Sequence, residues 1–294
     1  MKQLVFVHGR AREHKDAGAL KGEWIETFRR GLAKSGLQLP VSEDAIHFPY
    51  YGQTLFDLVN DTPADQIAEV IVMGHDGDED ERAFMREVIQ QVKEKAAISD
   101  RQIAEVAGQA AVAMGPLNWE WLQGALKAID RYVPYASGRS IALATNDVYQ
   151  YLQNLGIRDE IETGVRKAIQ SNAPTVVVSH SLGTVVSYSL LRREGKLNRW
   201  IVPLFVTLGS PLAVKAIKKS LAPIKHPECV TRWFNAMDER DVVALYSLDA
   251  AHFPINPAIE NKTDVDNDTQ NRHGISGYLS DKEVAKRIYD ALVS

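Results

Sequence analysis

Short runs dominated by apolar residues alternate along the chain with longer stretches in which apolar positions recur every three or four residues. Leu4-Val5-Phe6-Val7, Ala45-Ile46-His47-Phe48, Thr175-Val176-Val177-Val178, Pro203 to Leu208 and Val230 to Asn235 are of the first kind, rich in the β-branched and aromatic residues that suit buried strands. A further strand is expected between Ile259 and Val265. Helical spacing places Trp24, Ile25, Phe28 and Leu32 on one face of Gly22 to Gly36, and does the same for Val148, Tyr151 and Leu152, for Ile161, Val165 and Ile169, and for Leu182, Val185, Val186, Leu190 and Leu191. A last helix runs from Asp281, a candidate N-cap with Glu283 in the first turn, through Val284, Ile288 and Leu292. Strand and helix in this alternation predict an α/β fold with a mostly parallel sheet, because a right-handed helical crossover returns the next strand in the same direction.

From residue 53 to about 140 the strand signals stop. Asp80 to Ala97 carries Phe84, Val88, Ile89 and Val92 at helical spacing, and Arg101 to Met114 and Trp119 to Tyr132 continue as apolar-rich helical segments split at Gly115-Pro116. The expected organisation is a core of residues 1–52 and 140–294 interrupted by a helical insertion at 53–139.

Composition narrows the class. With 294 residues and 45% apolar content, the chain supports a sizeable core. A net charge of −4 argues against a nucleic-acid partner, for which a basic footprint is expected. A single cysteine, Cys229, leaves no intramolecular disulfide to form. The first residues lack a signal-peptide pattern and no window approaches the roughly 18 to 20 apolar residues of a membrane span, so a soluble, cytoplasmic protein is expected.

The chemistry concentrates at Ser179-His180-Ser181-Leu182-Gly183, between the Thr175 strand and the helix that follows. A strand that turns into a helix at a serine flanked two residues away by small side chains is the layout of a nucleophile elbow, G-x-S-x-G, with Ser179 in place of the first glycine. The turn puts the Ser181 hydroxyl at the carboxyl end of a parallel strand and aims the Leu182 N–H, at a helix N-terminus, where negative charge develops. A phosphate-binding turn has the same general layout and stands as the plainer alternative. A serine nucleophile needs a histidine to take its proton and a carboxylate to orient that histidine.

Together with His8-Gly9 at the end of the first strand, Leu208-Gly209-Ser210-Pro211-Leu212 and Arg272-His273-Gly274, this elbow resembles the lipase and serine-esterase branch of the α/β-hydrolase superfamily. The resemblance covers the first fifty and the last 150 or so residues. It implies a reduced sheet of about six strands with helices on both faces, and a cap or lid formed by the insertion. It also implies the chain order Ser, acid, His. On that order the triad is Ser181, Asp241 with Asp238 as reserve, and His273, since His252 and His226 come too early. The backbone N–H groups of Arg10 and Leu182 make the oxyanion hole, and the His8 ring holds the loop. The implied activity is hydrolysis of a carboxylic ester without cofactor or metal, a lipid ester being favoured over a small soluble one. Amide or thioester hydrolysis, acyl transfer, and a non-catalytic or latent binding or effector role remain as alternatives. Trp119, Trp121 and Tyr135 either meet acyl chains or a membrane surface, as a peripheral contact through the cap, or pack the insertion onto the core. The alternating Asp76, Asp78 and Asp80, and Asp264, Asp266 and Asp268, lack the glycine of a calcium loop and read as an acidic helix start and a solvated loop. Arg10 and Arg12 are further candidates for a phosphate or carboxylate on the substrate.

Overall fold

The computed structural model describes residues 2–10, 16–52, 79–116, 118–169 and 173–294. Arg12, Asp76, Asp78 and the first part of the insertion, 53–78, lie outside them. Six strands are present among the described residues: β1 (Gln3–Val7), β2 (Ile46–His47), β3 (Thr175–His180), β4 (Val202–Leu208), β5 (Val230–Ala236) and β6 (Glu260–Lys262). They form one all-parallel sheet of order β2-β1-β3-β4-β5-β6. The helices are α1 (Ala17–Ala33), α2 (Glu79–Lys95), α3 (Asp100–Ala107), α4 (Gln109–Met114), α5 (Trp119–Tyr132), α6 (Gly138–Gln153), α7 (Leu155–Ile169), α8 (Leu182–Glu194), α9 (Lys215–Ser220), α10 (Ile275–Leu279) and α11 (Lys282–Val293).

The period-two alternation of the strands divides the core in two. Leu4 and Phe6 of β1, Val176 and Val178 of β3, and Leu204, Val206 and Leu208 of β4 face α1, α10 and α11. Val5, Val7, Val177, Phe205 and Trp233 point the other way, into a cluster shared with helices from α2 to α9. The helices of the insertion and this face of the sheet therefore have one continuous core. Each fully buried Leu, Val or Phe contributes about 1.5–3 kcal/mol, so this shared packing holds the insertion firmly.

Helix boundaries follow the capping groups. Asp16 accepts from Ala19 N and starts α1 five residues before the Gly22 expected from spacing, and the chain leaves the helix through Gly36 at φ +67°. Asp281 accepts from Glu283 N and Val284 N, as the sequence predicts. The expected helix Arg101 to Met114 is instead two, broken at Gly108 with φ +88°, and Ser99 and Gln102 close a capping box on the first. Of the insertion's aromatics, Trp121 is buried at 2% exposure and packs inward, Trp119 is half-buried, and Tyr135 is 56% exposed. Among the described residues no helix is long and apolar enough to cross a membrane.

An ionic knot around the buried Glu162 ties α6, α7 and α8. Glu162, 2% exposed, accepts from the Tyr151 hydroxyl at 2.6 Å and pairs with Arg193 and Arg166, which also holds Glu194. Removing Glu162 takes the acceptor from the buried Tyr151 hydroxyl and one partner from each arginine, while Glu194 still holds both. Glu162→Ala is expected to lower unfolding stability by about 1–2 kcal/mol, read from urea midpoints. An unchanged midpoint would show that the knot is energetically neutral.

Candidate functional site

In an open parallel sheet ligands bind at the carboxyl ends of the strands where the strand order reverses. Here the chain goes from β1 outward to β2 and then crosses to β3 on the other side of β1, so the reversal lies between β1 and β3. Register brings the strand ends level there: Val7 pairs with Ser179, His180 with Leu208, and Leu208 with Ala236. The loops that follow β1, β3, β4 and β5 thus open on a common edge, and they carry His8-Gly9, Ser181, Gly209 and Asp241.

Ser181 takes φ +54° and ψ −127°, a conformation that costs a non-glycine residue on the order of 1–3 kcal/mol. The surrounding bonds hold it: its N–H donates to Leu208 O at 3.1 Å, and its carbonyl accepts from Thr184 N at 2.9 Å and from Thr184 Oγ1 at 2.7 Å. A Cβ on Gly183 would stand 2.3 Å from Val7 O, which explains the small residue after the serine. Ser179, in place of the usual glycine before it, is fully buried, and its hydroxyl donates to Ser187 Oγ at 2.7 Å, one to two turns along α8. The extra polar atom is thereby satisfied inside the core.

The structure brings the three expected side chains together. His273 Nε2 is 2.8 Å from Ser181 Oγ, and His273 Nδ1 is 2.7 Å from Asp241 Oδ2. Asp238 is elsewhere engaged, accepting from Arg240 N, Nε and Nη2 and from Asn267 N, so the choice between the two acids falls on Asp241. Asp241 is buried, and its oxygens also accept from Val243 N at 2.9 Å, Ala244 N at 3.3 Å and the Tyr278 hydroxyl at 2.6 Å. Burial by itself raises its pKa; His273, Tyr278 and the Val243 N–H outweigh that and hold the carboxyl below its ordinary value. Burial and the adjacent Asp241 push the Tyr278 phenol well above its usual range, so it remains a donor. Tyr278 was not visible as a site residue in the sequence; its place five residues beyond His273 gives no sign of the contact. Gly209, at φ +54°, is also close: a Cβ there would lie 3.2 Å from both Asp241 Oδ2 and His273 Cε1.

Two further histidines set the backbone. His180 Nε2 donates to the His273 carbonyl at 2.7 Å, tying the residue before the serine to the loop that carries the imidazole. His8 Nδ1 lies 2.5 Å from Gly9 O while Tyr51 N–H donates to His8 Nε2 at 3.2 Å, which places the ring hydrogen on Nδ1. That bond fixes the Gly9–Arg10 peptide, and since the peptide is trans its N–H, belonging to Arg10, points away from His8. Gly9 itself sits against the serine, where a Cβ would be 3.2 Å from Ser181 Oγ. Leu182 opens α8, so its N–H has no partner within the helix. The Arg10 guanidinium meets the buried Asp147 of α6 in a bidentate pair at 2.7 and 2.8 Å and is occupied there. Asp264 and Asp266 likewise pair with Lys262, Arg240 and Arg272.

Burial lowers the pKa of His8 to about 4; burial, then the neighbouring His273, lowers that of His180 to about 3. Both are neutral in the fold, whereas the unfolded chain takes up their protons near 6.5. Stability contributed by His8 is therefore complete above pH 6.5 and is lost as pH falls to about 4, a loss of about 3 kcal/mol when fully expressed. Urea midpoints should drop over that window, and His8→Gln should flatten the drop; equal slopes would rule the linkage out. Tyr278→Phe, which takes a donor from Asp241, is expected to cost about 1–2 kcal/mol in the same assay. The chain matches no family model, no curated protein and no solved structure, so its chemistry is read from its own geometry.

Proposed function

We propose that the chain is a serine hydrolase of the α/β-hydrolase superfamily that cleaves a carboxylic ester. The observation that carries this reading is the continuous relay from the Ser181 hydroxyl through His273 to the buried, ionised Asp241, at 2.8 and 2.7 Å. A serine alone is a weak nucleophile at neutral pH. In the proposed mechanism Ser181 Oγ bonds to the ester carbonyl carbon while His273 Nε2 takes its proton, and Asp241 stabilises the imidazolium. The N–H groups of Arg10 and Leu182 receive the oxyanion. His273 then gives the proton to the departing alcohol oxygen, and a water molecule repeats the sequence on the acyl-serine to release the acid.

Labelling with a fluorophosphonate and hydrolysis of p-nitrophenyl acetate test the proposal. Ser181→Ala is expected to abolish labelling, and Asp241→Asn to lower kcat by about 10³–10⁴, because the amide leaves the histidine in the wrong tautomer. Labelling that survives Ser181→Ala, or a parent protein that neither labels nor cleaves, would defeat the reading.

A further inference from the structure

Two spaces of different kind flank the triad, one bordered by Ser181 and the other by His273. One is a narrow pocket of about 20 Å³ between α2, α6, α9 and the 242–245 segment, with walls that include Val88, Ile141, Val148, Val214 and Val243. That is room for about one water-sized group. Among the described residues its only hydroxyl besides Ser181 is Thr145, which donates to Ile141 O at 2.7 Å and is thereby spent. The other is a cleft of about 850 Å³ bordered by Gly9, His180 and His273, whose lining includes the neutral polar Thr27, Ser137, Ser140, Gln270, Asn271 and Ser276 together with the carboxylate of Glu23 and the rings of Trp24 and Tyr135. The cation among its described lining residues, Arg10, is held bidentately by Asp147.

We propose that these spaces sort the two halves of the ester: a short apolar acyl group of acetyl size enters the narrow pocket, and a neutral, hydroxyl-rich alcohol fills the cleft. This rests on the serine hydrolase reading. His273 must reach the leaving oxygen to protonate it, so the alcohol lies on the side His273 borders. The acyl group is left with the pocket that Ser181 borders and His273 does not. A polar or charged acyl group there would lose its water without gaining a partner. On the other side, six neutral side chains offer hydrogen bonds to hydroxyls and two rings offer faces to a sugar, while the Glu23 carboxylate and the pairing of Arg10 with Asp147 disfavour an anionic headgroup. The long-chain lipid ester implied by the sequence resemblance is accordingly a poor fit. During turnover the Ser181 Oγ–carbonyl bond forms as the ester C–O bond breaks, the proton moves through His273 to the alcohol, and water releases acetate.

The test compares kcat/KM for p-nitrophenyl acetate and octanoate, and for glucose 6-acetate and hexyl acetate, with diisopropyl fluorophosphate labelling of Ser181 on the same preparation. Acetate is expected to exceed octanoate, and the sugar ester to exceed hexyl acetate, each by at least about tenfold. Ile141→Ala, or Val214→Ala if the first variant does not fold, should raise the octanoate-to-acetate ratio by about tenfold. A labelled enzyme that cleaves octanoate as well as acetate, prefers hexyl acetate, or keeps its ratio in the folded variant overturns the sorting. Absence of labelling with no ester cleaved overturns the hydrolase reading itself, and the sorting with it.

Discussion

A carboxylate with no exposed surface is the most demanding group in this fold. Asp241 is stripped of water, and the structure answers with two backbone N–H groups, a phenol and an imidazole, drawn from three separate stretches of chain. Meeting that demand constrains much else. It requires the β5 loop to turn back at Val243, it fixes α10 so that Tyr278 reaches inward, and it forbids a side chain at Gly209. The imidazole is then oriented from both ends, by Asp241 on its ring and by His180 on its carbonyl.

The parallel register turns this local knot into a site. Strand ends that are level by one residue put the loops after β1, β3, β4 and β5 within reach of one another, and the strain at Ser181 is sustained because Leu208 and Thr184 grip its peptide groups. The insertion contributes in the same way. Its helices share the core of one sheet face, so α6 presents Asp147 and the walls of the narrow pocket from a rigid position.

Much of this was legible in the residues. The strands β1, β3, β4 and β5 lie in short apolar runs whose burial allows few other readings, whereas β6 is the polar, part-exposed Glu-Asn-Lys; the elbow needs a small residue at 183 for a reason that the 2.3 Å approach of Val7 O makes concrete. The order of serine, acid and histidine came from resemblance, and spacing alone did not separate Asp241 from Asp238; what separates them is Arg240, which folds back onto Asp238. Tyr278, Ser187 and Asp147 could not be read, because each matters through a partner distant in sequence or through a side-chain direction that periodicity does not encode. The same holds for Trp121, whose aromatic ring suits a wet or a dry face equally until its neighbours are known.

One strut joins the narrow pocket to the loop beside the serine. Asp147 sits on α6 among Ala144, Thr145 and Val148, which border the narrow pocket, and its far end grips Arg10, whose N–H belongs to the peptide steered by His8. A shift of α6 at the pocket wall would be passed by that ion pair to the loop beside the serine. The width of the pocket and the placing of the Arg10 peptide are thus held by one helix.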